Sequence, residues 1–351
     1  MASNLQRLRN NIEAIEYALT GKGDAQVLNN YTGFGGLGFV LNPIEDKTKW
    51  NKTDATCYDD TVRLVEMLRE HAGSEKMFKK WMSSLKASTL TAYYTPEEVV
   101  FAIMNAIIKP MSRGGYFIPD TVLDPAAGMG VFARKAEWFG DFYTHKTDIT
   151  CFEKDILTAM MLKAKLGGET AEHTDGGNTA VYCDGFEKFP DDELGTYDLV
   201  STNVPFGDIA VFDDAYSNSG LEVRRDAARM IHRYYVLKGL DCLREGGLLA
   251  YIITSNYLNN DTEQVRYALQ QSRLVGAYRL ANNLFKENGT EVGTDLLVLQ
   301  KDSKRGALTE DEGALCEGML VEGCPTNGYF IRHRDHIIAT GGAIGTDAYG
   351  K

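Results

Sequence analysis

The sequence predicts a Rossmann-like α/β fold, built on a doubly wound and mostly parallel sheet. From residue 94 onward, short apolar runs rich in β-forming residues alternate with helical stretches, which is the pattern of a parallel sheet with helices on both faces. Residues 285–293 are too short and too glycine-rich for a crossover helix, so we expect an antiparallel last strand. The seven predicted strands span residues 121–123, 149–152, 180–183, 197–201, 248–254, 274–279 and 296–300.

The predicted helices divide the chain into three regions. Apolar residues spaced by three and four predict a helix over 3–19, and two more helices complete a helical N-terminal section, residues 1–90. The α/β domain, residues 91–303, opens at Thr95 and Pro96, where a threonine cap and a proline predict a helix start. Residues 304–351 form a C-terminal extension, and we hypothesise that the chain is a fragment of a larger protein. The remaining predicted helices span 60–72, 75–85, 131–139, 155–166, 224–243 and 262–271.

Composition excludes some classes of function. The chain has 351 residues, 44% of them apolar, and can bury a full core. No apolar run approaches the roughly 18 residues of a membrane helix, and the polar N-terminus lacks a signal-peptide core, so we expect a cytoplasmic protein without membrane contact. The six cysteines are scattered, without CxxC pairs or paired histidines, so we expect neither disulfides nor a metal site.

The turn after the first predicted strand is a candidate ligand site. It comprises residues 124–130, Asp-Pro-Ala-Ala-Gly-Met-Gly, and ligands of open α/β sheets lie beyond the carboxyl ends of the strands. Gly128 and Gly130 let the backbone approach a ligand, and Asp124 can accept from an amino group, with Pro125 and Ala126 beside it. A dinucleotide is the alternative ligand, but the spacing departs from G-x-G-x-x-G. We expect S-adenosylmethionine.

Acids at the ends of the next two strands extend this site. Glu153 follows the second strand and can accept hydrogen bonds from both ribose hydroxyls, although a lone acid there is as often a solvated loop residue. Asp184 ends the third strand and can accept from the cofactor's adenine amino group. Phe186 offers an apolar face to the adenine ring or packs in the core, and the sequence leaves both open.

In their order along the chain, these motifs resemble those of N6-adenine DNA methyltransferases. The order is similar to the gamma-like subgroup, in which a Thr-Pro segment precedes the cofactor turn and target recognition lies C-terminal. The residues at 31–36, Tyr-Thr-Gly-Phe-Gly-Gly, also resemble the methylase sections of large methylase–helicase proteins of bacterial mobile elements and phages, a setting related to restriction–modification. The resemblance covers roughly residues 90–300 and rests on Tyr94-Thr-Pro, the 124–130 turn, Phe152-Glu, Cys183-Asp-Gly-Phe and Asn203-Val-Pro-Phe.

The resemblance implies that the turn at residues 203–206 holds a target base extruded from the duplex. The Asn203 side-chain oxygen and the Val204 carbonyl would accept the two N–H groups of an adenine N6 amine, and Pro205 completes the turn. Direct displacement then needs positioning and charge stabilisation rather than a base or a covalent nucleophile. This sequence departs from the family pattern at Val204, where most members have proline. Valine does not fix its φ angle as proline does, so the turn loses one conformational restraint.

The same resemblance assigns further roles beside the target turn. Phe206 would stack on the target base and Phe285 on its other face, although core packing is equally open for Phe285. Thr95 and Pro96 resemble the segment that lines the methionine end of the cofactor, and a simple helix cap explains them as well. The glycine-rich loop at 33–38 lacks the Lys-Ser/Thr of a P-loop, so we interpret it as a structural turn.

DNA contact has to be reconciled with a net charge of −12. Either the basic residues are concentrated on one face, or the main nucleic-acid-binding surface lies in a part of the protein outside this chain. A solvated charged face explains basic clusters as well as DNA contact does. The first candidates, which follow the target turn at helical spacing, are Arg224, Arg225, Arg229 and Arg233. The second candidates are Lys76, Lys79, Lys80 and Lys86.

The leading interpretation is an S-adenosylmethionine-dependent methyltransferase that acts on N6 of adenine in DNA, together with other domains or subunits. Two alternatives stay open. The chain could methylate RNA or a protein glutamine, or it could be a non-catalytic methylase fold retained as a DNA-binding subunit. The intact set of polar motif residues argues against the second alternative: Asp124, Glu153, Asp184 and Asn203.

Overall fold

The computed structural model describes residues 3–91, 94–108, 110–111, 115–166, 170–172, 178–282, 284–285 and 292–338. In this part of the chain the central sheet has eight strands, in the order β3-β4-β2-β1-β5-β6-β8-β7. The strands are β1 (Thr121–Asp124), β2 (Asp148–Phe152), β3 (Thr170–Glu172), β4 (Asn178–Tyr182), β5 (Tyr197–Asn203), β6 (Leu243–Thr254), β7 (Ser272–Arg279) and β8 (Thr294–Lys301).

The seven predicted strands are all present. Strands β4, β2, β1, β5 and β6 pair in parallel, and β8 pairs antiparallel with both β6 and β7, as the short connection before it predicted. The eighth strand, β3, lies at the edge antiparallel to β4, and its three residues are too few for a period-2 pattern to show. From β1 and β5 the chain proceeds toward opposite edges of the sheet, so the switch in strand order lies between these two strands.

Helices surround this sheet and extend beyond it at both ends of the chain. None of the described helices is long and apolar enough to cross a membrane. The described helices are α1 (Asn4–Thr20), α2 (Tyr58–His71), α3 (Glu75–Thr91), α4 (Glu97–Ile107), α5 (Val131–Phe142), α6 (Ile156–Leu166), α7 (Asp214–Ser217), α8 (Glu222–Ala227), α9 (Ile231–Cys242), α10 (Ser255–Asn260), α11 (Thr262–Leu269), α12 (Glu310–Leu315) and α13 (Gly328–Arg332). Two short hairpins pair Pro110–Met111 with Gly115–Tyr116, and β9 (Gly318–Val321) with β10 (Cys324–Asn327).

The sheet has an apolar core on each face, because parallel strands are covered by helices on both sides. Adjacent residues of β1 show this directly: Val122 and Leu123 are both fully buried, but in different cores. Val122 belongs to the core that includes residues of α4 and α5, whereas Leu123 belongs to the core that includes residues of α9 and α11. The strands therefore read as continuous apolar runs rather than as alternating ones.

The N-terminal helices share a third core with the α/β domain. Leu8 of α1 and Phe34 of the glycine-rich loop are fully buried there, together with Met129 from the turn after β1 and Met161 of α6. Asn11 anchors the loop, since its side chain donates to the Gly33 carbonyl at 2.7 Å. This inward bonding fits a structural turn.

The helix predicted over residues 224–243 is two helices in the structure, α8 and α9. The chain leaves the helical conformation at Met230, where φ is −140° and ψ is 120°. The Ala228 carbonyl accepts from the Val211 N–H at 2.8 Å, and this contact with a distant loop competes with continuation of the helix. A break set by residues far apart in sequence leaves no local pattern to predict it.

Candidate functional site

A cavity of about 500 Å³ opens beyond the carboxyl ends of β1, β2 and β5. It lies at the switch in strand order, where α/β sheets bind ligands. Helix α3 supplies the opposite wall, through Lys80, Ser84 and Ser88. Nine of the residues predicted to contact the cofactor or the target base line this cavity, namely Thr95, Pro125, Ala126, Gly128, Glu153, Asn203, Val204, Pro205 and Phe206.

The turn after β1 is held by its own backbone and by its glycines. The Ala127 N–H donates to the Phe152 carbonyl at 2.9 Å, and the Gly130 N–H donates to the Ala127 carbonyl at 2.7 Å. Gly128 has a φ of 54° and Gly130 a φ of 73°, which L side chains rarely adopt. A Cβ at Gly130 would also lie 2.7 Å from a methyl carbon of Leu162, so packing within the protein requires this glycine.

Glu153 lies at the floor of the cavity. One carboxylate oxygen accepts from the Gly128 N–H at 2.8 Å, and the other accepts from the Asp155 N–H at 2.7 Å. Burial raises the pKa of Glu153 to about 8, and the nearby Asp155 carboxylate adds to this rise, while the two N–H donors oppose it. A carboxylate at the end of β2 is thus fixed beside the turn after β1.

Two buried polar groups lie near this end of the cavity: Thr95 lines it, whereas Asp124 does not. Asp124 is fully buried behind the turn, and burial raises its pKa to about 7. Within the described residues, neither its Oδ2 nor the buried Thr95 hydroxyl has a hydrogen-bond partner. Buried polar groups without partners are costly. The Thr95 hydroxyl is therefore available to a polar group of a ligand in the cavity.

Thr95 and Pro96 do not form the cap that the sequence predicted. Pro96 occupies the N-cap position of α4, and no side chain caps this helix. The Val99 N–H instead donates to the Pro96 carbonyl at 3.1 Å. Pro96 is half-buried and lies outside the cavity lining, while Thr95 lies inside it. The helix-cap explanation of Thr95 is therefore wrong.

The turn at residues 203–206 continues directly from β5. The Val204 N–H donates to the Ile252 carbonyl of β6 at 2.9 Å, and the Val204 side chain is fully buried. A proline could not make this bond, because it has no N–H. The bond to β6 therefore replaces, at this position, the rigidity that proline would provide. Asn203 and Val204 both line the cavity.

The rings of Phe206 and Phe285 contact each other, whereas the expected arrangement requires a gap between them for the target base. Their ring centroids are 5.1 Å apart at an interplanar angle of 77°, and Phe285 is fully buried. A base held between two rings needs about 7 Å between parallel planes, twice an ordinary stacking distance. In this structure the two rings therefore do not form the expected sandwich, and Phe285 belongs to the core.

The end of β4 also differs from the expectation. Phe186 is fully buried against Tyr235, at a centroid distance of 5.1 Å, so core packing accounts for it. Asp184 is exposed and does not line the cavity, where its neighbours Gly185 and Glu187 do. The chain turns sharply after Tyr182, and this turn directs alternate residues away from the site.

Two of the four predicted DNA-binding arginines are engaged by carboxylates of this chain. Arg224 makes two bonds of 2.8 Å to Asp241, and Arg233 bonds to Asp226 at 2.7 Å and Asp261 at 2.6 Å. Arg225 and Arg229 are exposed instead and line a surface groove with carboxylates between them. Of the four arginines, these two are exposed to solvent, and the second set of candidates, Lys76, Lys79, Lys80 and Lys86, is exposed as well.

Some lining residues were not predicted as site residues. Lys80 stood only in the second DNA-binding set, and Tyr235 of α9 reaches the cavity from the other side of the turn, where its hydroxyl donates to the Pro125 carbonyl at 3.4 Å. The Ser84 hydroxyl of α3 accepts from the Ile156 N–H at 2.8 Å, at the start of α6. Tyr94 also lines the cavity, and its sequence signal is that it adjoins the Thr-Pro segment. Ser84 and Tyr235 lie outside every motif identified in the sequence.

Comparisons with known proteins agree with this geometry. Residues 75–316 match the family described as N-6 DNA methylase. A Listeria monocytogenes protein described as a class I S-adenosylmethionine-dependent methyltransferase is similar over 88% of this chain and 90% of its own, with 13% identity and a TM-score of 0.51. The type I restriction–modification methyltransferase subunit from Streptococcus thermophilus has 14% identity over 88% of this chain and 74% of its own, with a TM-score of 0.49. At 13% identity the likeness to the Listeria protein shows the fold alone. Among curated proteins none matches this chain.

Proposed function

Because the chain belongs to the N-6 DNA methylase family, we propose that it transfers a methyl group from S-adenosylmethionine to N6 of adenine in DNA. One observation carries this proposal. The turn with Asn203, the turn with Gly128 and the residue that follows β2, Glu153, all line the same cavity at the switch in strand order. A methyl donor bound beside Glu153 and a target base bound at Asn203 would therefore lie in the same cavity.

The residues of this cavity have distinct proposed roles toward the cofactor. Glu153 would accept hydrogen bonds from the ribose hydroxyls, and Gly128 lies close enough for its backbone to contact the ligand. The unpartnered Asp124 oxygen and the Thr95 hydroxyl would take the amino-acid end. When bound, S-adenosylmethionine supplies a methyl group on a positively charged sulfur that is already a good leaving group.

The target amine would be held by two acceptors on one turn. The Asn203 side-chain oxygen and the Val204 carbonyl would each accept one N–H of the adenine amine, and so direct its lone pair at the methyl group. Direct displacement of this kind depends on positioning and charge stabilisation. The bond from the Val204 N–H to Ile252 supports this role, since it fixes the turn that carries both acceptors.

The target base would have to leave the duplex to reach this turn, and Phe206 would stack on it. Because Phe285 already contacts Phe206, a second stacking ring requires the two to separate when the base enters. Arg225 and Arg229 are the exposed cations we propose for phosphate contact. By analogy with the type I subunits, we also propose that other subunits or domains make most of the contacts with DNA. This would explain how a chain with an acidic net charge can act on DNA.

The test is methyl transfer from tritium-labelled S-adenosylmethionine with duplex DNA, RNA and protein offered in parallel. Label recovered as N6-methyladenine from DNA supports the proposal. Label found only in RNA or in protein glutamine would move the activity to another substrate. Absence of cofactor binding in calorimetry would favour a non-catalytic methylase fold. Methylome sequencing of cells that express the chain would then report the base and its sequence context.

A further inference from the structure

We infer that His333, Asp335 and His336 form a binding site for a transition-metal cation such as Zn²⁺, apart from the methyl-transfer cavity. One donor atom of each residue lies within 4.8 Å of the donor atoms of the other two. Two imidazole nitrogens and a carboxylate oxygen are ligands that Zn²⁺ takes readily. From the sequence we expected no metal site because the cysteines are scattered, without CxxC pairs or paired histidines. The inferred ligand set contains no cysteine, so that criterion does not apply to it.

The backbone brings the two imidazoles together. Residues Arg334–His336 form a 3₁₀ helix with His333 as its N-cap, and side chains three residues apart lie over one another in this geometry. The centroids of the two rings are 5.3 Å apart at an angle of 35°. Tyr329 packs against both rings, with centroid distances of 4.5 Å and 5.6 Å, and so restricts their rotation.

Acceptors from two other elements engage one nitrogen of each histidine. His333 Nε2 lies 2.9 Å from Asp311 Oδ1 of α12. His336 Nδ1 lies 3.0 Å from the Ala277 carbonyl of β7, and the Tyr329 hydroxyl is also 3.0 Å from this nitrogen. A carboxylate or carbonyl that accepts one imidazole N–H leaves the opposite nitrogen as a lone-pair donor and makes it more basic. Metal-binding histidines are usually supported in this way.

The position of the site suggests what a bound cation would do. His336 also stacks on Tyr278 of β7, with centroids 4.4 Å apart, and the Ile338 N–H donates to the Arg279 carbonyl at 2.8 Å. The segment after α13 thus lies against α12 and the edge of the sheet. A cation on this segment would hold both imidazoles in the orientation that these contacts need. Asp335 is exposed, so the cation can enter from solvent and keep water in a remaining position.

The experiment is calorimetric titration of the metal-free chain with zinc chloride. We expect one strong site per chain, and a melting temperature that rises with zinc. His336→Gln and His333→Gln should each weaken zinc binding by more than tenfold. Asp311→Asn should weaken it by about 10-fold to 100-fold, as loss of a supporting carboxylate does. Circular dichroism tests whether each variant is folded. If one variant fails to fold, the other two still measure the contribution of the site to zinc affinity.

His145→Gln is the matched control. His145 bonds to Asp120 at 2.8 Å and is 34% exposed, close to the 2.9 Å and 30% of His333 beside Asp311, but it is outside the three-residue group. This variant should bind zinc as the wild type does. Equal affinity in wild type and His336→Gln, or an equal loss in His145→Gln, would show adventitious surface binding and overturn the inference. Because zinc affinity needs neither cofactor nor DNA, these outcomes are independent of the proposed methyl transfer.

Discussion

The ring of Tyr94 lies so close to Gly128 that a Cβ added to this glycine would be 2.7 Å from Tyr94 Cε1. Gly33 meets the other edge of the same ring, where its added Cβ would be 2.7 Å from Cε2. The Tyr94 hydroxyl is also 3.3 Å from the Thr158 hydroxyl of α6. The ring of Tyr94 therefore lies between the glycine-rich loop of the N-terminal section and the turn after β1.

Gly128→Ala should destabilise the fold and weaken cofactor binding, because the new methyl group would displace Tyr94. Gly195→Ala is the matched control: its φ of 75° imposes a similar backbone strain, but nothing lies within 4 Å of an added Cβ. Urea unfolding should show that Gly128→Ala loses about 1–3 kcal/mol more than the control. Calorimetry should show weaker S-adenosylmethionine binding in Gly128→Ala alone. Equal losses in both variants would contradict the close contact.

Asn203→Ala should abolish methyl transfer while it leaves the cofactor dissociation constant nearly unchanged. The substitution removes one of two acceptors for the target amine and nothing proposed to hold the cofactor. Loss of one positioned hydrogen-bonding group typically lowers kcat by about 100-fold to 1000-fold. Single-turnover transfer and calorimetry measure the two quantities separately. A parallel loss of cofactor affinity would assign Asn203 to the cofactor instead.

Cofactor affinity should increase as the pH rises toward 8. Burial raises the pKa of Glu153 to about 8, so this carboxyl is protonated in much of the ligand-free protein at lower pH. Ribose hydroxyls donate best to the ionised form, so binding should release a proton, with an affinity gain of at most about tenfold per pH unit. Calorimetry from pH 6 to 9 measures this slope.

Glu153→Gln tests whether this carboxyl causes the pH dependence. The variant should bind cofactor more weakly, and its affinity should change less with pH. Any remaining slope would come from Asp124, whose pKa burial raises to about 7. A wild-type affinity that does not vary between pH 6 and 9 would remove Glu153 from the ribose.

Arg229→Ala and Arg224→Ala should change different properties: the first should weaken DNA binding, and the second should lower the stability of the fold. Arg229 is 77% exposed and 3.9 Å from its nearest carboxylate, so its loss should leave stability within about 0.5 kcal/mol and weaken DNA binding. The slope of log affinity against log salt should fall by about 0.9 if one phosphate contact is lost. Arg224→Ala should cost about 1–3 kcal/mol of stability, because Asp241 loses both bonds to this guanidinium. Unchanged DNA affinity in Arg229→Ala would exclude the proposed contact.

Much of the fold could be predicted because its signals are local. The apolar runs of the seven strands, the short connection before β8 and the glycines at 128 and 130 are each visible within a few residues. The order of these motifs was sufficient to indicate the family. The break at Met230 and the edge strand β3 could not be predicted, since the first depends on a contact with Val211 and the second is only three residues long.

The sequence by itself determined the kinds of chemical group that the site contains and the order of the elements that carry them, because alternation and turn residues act over short distances. Tertiary structure decided which of these groups reach the cavity. Phe186 and Phe285 are buried in the cores, Asp184 points to solvent, and Arg224 is paired with Asp241. Such outcomes depend on burial and on partners from distant segments, which no local pattern encodes.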